Sequence, residues 1–371
     1  MKRIGLSLLF LCLCSMQVLN AQNLLTDSHS VESIRAALRS RIPPEIQRQA
    51  QQFDDQLLRS GKISDQAVYV VTDTSYERTN RILGSLLRAI RIDPATWSLR
   101  VLDTNPKTEN AFVVGGQYIY VFTGLIENAQ SDDELAVILG HEMSHSLLKH
   151  NLRRSADFTH LLGSIAEIAG TFSRSESRRD RLGLVGGSIK ALYSREDEQE
   201  ADALGAYIVQ RAGYDPARGF AFFNRMIKLE KAMKARNQRD MAMARQQVEQ
   251  QVANCEQLRA QWNASPQVRT QQNAQIVNNT CQNAQVNVER YNKFVREHSK
   301  DEMKLVLLRT HPLDQSRISA LAASTDYLQG RRPLSSLSGI GQGYKVFMAM
   351  QPPPAPKVVP QEGQVSEAER K

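Results

Sequence analysis

The chain has 371 residues, enough for one large domain or two modest ones, so a core can form without special staples. At 41% hydrophobic and 23% charged it follows ordinary globular usage, which excludes wholesale disorder and a polytopic membrane protein. The formal charge of +8 is not gathered into a block of Lys and Arg, so nucleic-acid binding is unsupported, while a mild attraction leaves room for peripheral contact with an anionic membrane.

Residues 1–21 carry Lys2 and Arg3, an apolar run from Ile4 to Leu13, and small or polar residues ending at Ala21. That layout predicts a secretory signal peptide; the rival, a membrane anchor, needs a run of about 20 apolar residues. The reading implies an exported, periplasmic chain with no transmembrane helix after processing. Cys12 and Cys14 follow leucines, which argues against a lipoprotein acylation site.

Val31 to Leu58 reads as two short helices interrupted at Pro43-Pro44, and Asp73 to Ile92 as a longer helix with apolar residues at helical spacing. Ser98 to Leu102 then alternates as a half-buried strand does. Ala111 to Val114 and Tyr118 to Phe122 are β-prone runs joined by Gly115-Gly116, a hairpin signal. The strand carrying Tyr118, Ile119 and Tyr120 is expected at a cleft edge, where an extended peptide could add as a further strand.

Ser131-Asp132-Asp133-Glu134 predicts a capping box opening a helix that runs to about His150. Leu161 to Phe172 and Leu182 to Tyr193 are apolar, too short to span a bilayer, and read as buried helices. Glu196 to Ala212 predicts another helix, stopped at Gly213-Tyr214-Asp215-Pro216.

Residues 230–300 form a Gln- and Asn-rich helical region with sparse apolar residues at heptad-like steps, broken near Pro266. Cys255 and Cys281 lie symmetrically about residue 268, so an antiparallel hairpin turning near Pro266 would bring the two sulfurs level. An exported chain meets an oxidising compartment, so a Cys255–Cys281 disulfide is expected; two buried thiols are the alternative. The hairpin is also a candidate surface for a protein partner. Residues 351–371 are Pro-rich and polar and read as disordered.

The chemistry is concentrated in His141-Glu142-Met143-Ser144-His145. Histidines four apart are separated by about 40° around a helix, so both imidazoles can grip one cation, with Glu142 beside them to act on a water. Zinc accepts imidazole and carboxylate and lowers the pKa of bound water to about 7, so one Zn2+ per chain and hydrolysis with Glu142 as general base are expected. Further on, Glu198 and Asp202 share a helical face, so one could complete the metal shell while the other accepts a hydrogen bond from a ligand imidazole.

With Asn110-Ala111-Phe112, Gly115-Gly116, Thr123-Gly124-Leu125, Ser194-Arg195 and Thr310-His311-Pro312, these motifs make residues 68–321 resemble the HtpX, BepA and CAAX-prenyl-protease family of gluzincin zinc metallopeptidases. The soluble, periplasmic, BepA-like members are nearest, because the other two carry transmembrane helices. The resemblance implies an α+β zincin-like fold, mainly helical with a small sheet, with residues 22–229 and 301–350 forming the protease domain around the inserted hairpin. It implies Glu198 as third ligand, Asp202 as its supporting partner, and His311 near the metal, either stabilising the transition state or capping an idle site. Substrates by resemblance are unfolded or misassembled envelope proteins. The rival reading is an envelope chaperone or assembly factor with a structural or mostly capped zinc.

Overall fold

The computed structural model describes residues 28–351, apart from 64–65, 106, 151, 153–192, 302–306 and 308–310. The expected signal peptide at residues 1–21, the apolar segments before Tyr193 and the residues beyond Gln351 lie outside the described residues. The fold is mainly helical with a small mixed sheet, as expected for a zincin-like domain.

Helices α1 (Val31–Arg39) and α2 (Pro44–Ser60) come first, and Pro44 suits the first turn of α2, where a missing N–H costs nothing. A two-stranded ribbon of β1 (Lys62–Ile63) and β2 (Gln66–Ala67) follows, then β3 (Tyr69–Val71) and α3 (Thr74–Ala89). The main sheet adds β4 (Ser98–Asp103), β5 (Ala111–Val114) and β6 (Tyr118–Phe122), in the order β3-β4-β6-β5. Gly115 and Gly116 turn the β5–β6 hairpin at φ of 57° and 83°, and a Cβ on Gly116 would come within 2.6 Å of Ile42.

The strand order corrects one expectation. Tyr118–Phe122 is an interior strand, parallel to β4 from Ser98↔Tyr118 to Leu102↔Phe122 and antiparallel to β5 on its other side, so Tyr118, Ile119 and Tyr120 are not edge residues. The physical reason is visible in burial. Ile119 and Val121 face one core with Leu86, Val101 and Leu135, whereas Tyr120 and Phe122 face a second core with Ala50, Leu57 and Phe112. A strand covered on both faces reads as a continuous apolar run and sits inside a sheet. Tyr120 donates from its hydroxyl to Asp54 at 3.0 Å, and Arg100 holds the same carboxylate, in the core away from the histidines. The edges are β3 and β5, and β5 packs against the helix bearing His141.

After α4 (Thr123–Asn128), that helix, α5, spans Asp132–Leu147. Ser131 caps it by accepting the Glu134 N–H at 3.2 Å. The return half of the expected box is displaced by one residue: the Glu134 carboxylate accepts the N–H of Gln130 at 2.7 Å and pairs with Arg225. The helix also stops earlier than expected, because Lys149 adopts φ of 59° and turns the chain back.

Helix α6 (Arg195–Arg211) opens with a full capping box between Ser194 and Asp197. It crosses α5 where Gly140 meets Gly205. A methyl group on Gly205 would lie 2.9 Å from the His141 nitrogen and 3.0 Å from the Gly140 carbonyl carbon, so backbone touches backbone there.

The short α7 (Pro216–Gly219) leads into α8 (Ala221–Ala264), which turns through Pro266–Val268 into α9 (Gln271–Asp301). The two long helices pack on each other and are bridged by a Cys255–Cys281 disulfide with Cα atoms 4.9 Å apart. Closing a loop of that length stabilises a fold by roughly 3 kcal/mol. Helices α10 (Gln315–Leu328) and α11 (Gly343–Met350) pack on α6 and complete the main core.

Gly205→Ala should destabilise the protein by about 1–3 kcal/mol, because neither helix backbone can yield to the added methyl without shifting. The urea midpoint measures this, and a wild-type midpoint would show that the two helices have room to spare.

Candidate active site

Three elements supply the site. Helix α5 presents His141, Glu142 and His145, α6 presents Glu198 and Asp202, and the turn before α10 presents His311. All six are buried, none more than 5% exposed. One ligand atom from each of His141, His145, Glu198 and His311 lies within 4.8 Å of the others. His141 Nε2 is 3.0 Å from His145 Nε2, 3.2 Å from His311 Nδ1 and 3.5 Å from Glu198 Oε2. His311 Nδ1 lies 3.0 Å from Glu198 Oε1.

Asp202 Oδ1 lies 2.9 Å from His141 Nδ1, the nitrogen turned away from the cluster. Arg317 of α10 binds both carboxylates: Nε and Nη2 donate to Asp202 at 2.8 Å each, and Nη1 is 2.6 Å from Glu198 Oε2. Arg317 is itself 1% exposed, so its charge is spent entirely inside the protein. It also donates to the carbonyl of Pro312 at 2.8 Å and so ties the His311 turn to α6.

Electrostatics follow from this packing. Burial opposes ionisation of Asp202, but Arg317 and His141 outweigh it and hold the carboxyl below its ordinary range. Burial likewise opposes the Glu198 charge, and His311, Arg317 and His141 hold it well below the usual value. Burial would lower His141, but Asp202 and Glu198 push it up to about 10. His145 goes the other way: burial and the neighbouring His141 keep it well below 6.5, and therefore neutral. Burial pushes Glu142 up, and both its oxygens are buried without a hydrogen-bond partner among the described residues.

These residues fit a divalent metal. Imidazole and carboxylate donors converge within 4.8 Å, and the Glu142 carboxylate, with no hydrogen-bond partner among the described residues, stands beside the cluster. An unsatisfied buried carboxylate is costly unless something polar completes it.

Three participants had no sequence signal that singled them out. Arg317 is a lone arginine on a helix far from the histidine motif in sequence, and such residues are usually solvated. An unbroken helix would carry His150, nine residues after His141, to the far side of α5; the turn at Lys149 instead brings its Nδ1 within 2.8 Å of His145 Nδ1. Its Nε2 lies 3.0 Å from Glu200 Oε2, whose other oxygen lies 2.8 Å from His29 Nδ1. Tyr193, stacked on His145 at 3.7 Å between ring centroids and 14° between planes, was read only as the end of an apolar segment.

A histidine pair on a buried helix, a glutamate between them and a carboxylate from the next helix define a site of the metallopeptidase type. Residues 74–325 match the profile of Peptidase family M48, and the chain belongs to that family. It is similar to Mitochondrial metalloendopeptidase OMA1 of Saccharomyces cerevisiae, 29% identical over 146 residues, covering 38% of this chain and 40% of the relative. It is also similar to Metalloendopeptidase OMA1, mitochondrial, of Bos taurus, 31% identical over 144 residues, covering 36% and 27%. Beta-barrel assembly-enhancing protease of Escherichia coli is 27% identical over 127 residues, covering 32% and 26%. The chain thus spans less than half the length of these curated relatives.

Replacing Arg317 with Met should cost roughly 3–5 kcal/mol in metal-free protein at neutral pH, because two buried carboxylates lose their counter-charge. The sign with pH is fixed. Depressed carboxylate pKa values contribute stability above the unfolded values, and this is lost as pH falls through the folded ones. The gap between wild type and Arg317→Met in urea midpoint should therefore narrow below about pH 4. A gap independent of pH would assign the effect to packing alone.

Proposed function

We propose that the chain is a zinc-dependent endopeptidase acting on unfolded or misassembled envelope proteins, with His141, His145 and Glu198 holding the metal and Glu142 as general base. The observation that carries this reading is the position of Glu142: a buried carboxylate with no hydrogen-bond partner among the described residues, next in sequence to one metal-binding candidate and about one turn from the other. Zinc, when bound, supplies Lewis acidity, which acidifies a water molecule and polarises a peptide carbonyl.

The protein's own groups do the rest. Glu142, its pKa raised by burial, is suited to take a proton from the attacking water and return it to the leaving amine. The Asp202 carboxylate, 2.9 Å from His141 Nδ1, attracts that side of the ring electrostatically and so favours Nε2 facing the cluster. The strand β5, last in the sheet order among the described residues, lies against α5, the helix that carries Glu142. Residues 22–229 and 301–350 would form the catalytic body, with the 230–300 hairpin inserted to meet a protein partner.

Envelope substrates are supported by the printed name of the Escherichia coli relative, which concerns β-barrel assembly. The periplasm is proposed from the leader-like residues 1–21 and from the disulfide. Among the described residues no helix is long and apolar enough to cross a membrane.

A second reading is favoured by His311. Its Nδ1 stands among the other three donors and its Nε2 lies 3.4 Å from Glu142 Oε1, so the ring occupies the corner a substrate would need. A resting site capped in this way would also suit an assembly factor that cleaves seldom.

Glu142→Gln should reduce cleavage of an unfolded substrate such as reduced casein by about 10²–10⁴-fold while zinc remains stoichiometric. His145→Ala should abolish stoichiometric zinc by elemental analysis; retention of the metal would dismiss the ligand assignment. His311→Ala should raise basal turnover if the ring closes the site at rest, and a fall would place His311 in the transition state instead.

A further inference from the structure

The hydrogen bonds behind His145 admit one arrangement of protons once that residue is a metal ligand, as the proposed function requires. His145 Nε2 is the atom facing the cluster, 3.0 Å from His141 Nε2 and 3.5 Å from Glu198 Oε1. A nitrogen that binds a cation bears no proton, so a neutral His145 carries its proton on Nδ1. That atom faces Nδ1 of His150 at 2.8 Å, and two N–H groups cannot point at each other at that distance. His150 must offer its Nδ1 lone pair and keep its own proton on Nε2. Glu200 Oε2, an acceptor only, stands 3.0 Å from that Nε2. The other Glu200 oxygen lies 2.8 Å from His29 Nδ1, in the segment just ahead of α1.

We propose that His150 and Glu200 are positioning residues for the metal ligand His145: His150 accepts the His145 Nδ1 proton and Glu200 fixes the His150 tautomer that makes this acceptance possible. His145, His150 and Glu200 are all 0% exposed, so water does not compete for these bonds. Tyr193, stacked flat on His145, limits tilting of the ring plane, while the bond from His150 limits rotation within that plane. The unusual backbone at Lys149 gains a purpose, since a continued helix would carry His150 away from His145. Behind His141 the neighbouring group is instead a carboxylate, Asp202, 2.9 Å from Nδ1.

The test is zinc affinity, measured by chelator competition on the full chain for wild type, His145→Ala, His150→Phe and His150→Gln. His150→Phe keeps a ring but offers no acceptor, and should weaken zinc by about 10–100-fold and shift the visible bands of the cobalt-loaded protein. His150→Gln presents an amide oxygen to the same proton and should stay within about threefold of wild type, with wild-type cobalt bands. A folded His150→Phe with wild-type affinity and spectrum overturns the proposal, as does a His150→Gln as weak as His150→Phe. If wild type binds zinc no better than His145→Ala, it is the metal-site reading that fails. A measurement on the unaltered chain does not depend on either variant folding. Long-range proton–nitrogen correlation spectra of the zinc-loaded protein should show the proton on Nδ1 of His145 and on Nε2 of His150. A proton on Nδ1 of His150 overturns the assignment.

Discussion

Helices α5 and α6 meet backbone to backbone where Gly140 touches Gly205, and the placement of each ionisable group at the site depends on that contact. His141 follows the first glycine directly, and Asp202 and Glu198 lie about one and two turns before the second. The distance between the helix axes therefore sets the distance between imidazole and carboxylate. A side chain at the crossing would be felt as a change in metal geometry before it was felt as a change in fold. Gly219 makes a related approach to α5, where a Cβ would come within 2.2 Å of Val137, so α5 is gripped closely along more than one face.

Such proximity concentrates negative charge in a dry interior. Glu142, Glu198 and Asp202 gather within a few ångströms, with Glu200 and Asp197 behind them. Among the described residues the answer is one fully buried guanidinium, Arg317, and histidines set individually: His141 pushed up by carboxylates, His145 pushed down by burial. Arg317 suits the task because its planar fork reaches two carboxylates at once and remains charged when buried. The donor set that results, imidazoles and a carboxylate within 4.8 Å of one another, is one that could hold a metal ion.

What the sequence made legible was local. The His141–His145 spacing, the diglycine turn and the symmetric cysteines each encode geometry within one element or one hairpin, where periodicity alone fixes which side chains share a face. The family resemblance was legible for the same reason, since its motifs are short. Strand order was not, because nothing in Tyr118–Phe122 states which strands flank it; its apolar character on both faces was the available clue and pointed inward. Arg317 was hidden by distance, being more than a hundred residues from the carboxylates it neutralises. His150 was hidden by one dihedral angle, since an ideal helix extended through Lys149 places it wrongly. Glu134 erred by one residue in its capping partner, because Arg225 draws the carboxylate aside.

The disulfide lies far from the catalytic body. Cys255 comes more than thirty residues into α8, roughly 50 Å along a helix from its start, and it joins the returning arm almost level. Two antiparallel rods welded near their tips cannot slide lengthwise past one another, so any force applied at the far end reaches the base as rotation of a stiff beam. The beam is rooted by Phe222, Phe223 and Met226 in the main core, and its second arm runs back toward the His311 turn. That root adjoins the buried histidines, Phe223 lying 6.5 Å from His141 between ring centroids, so a twist of the hairpin is felt first beside the candidate ligands.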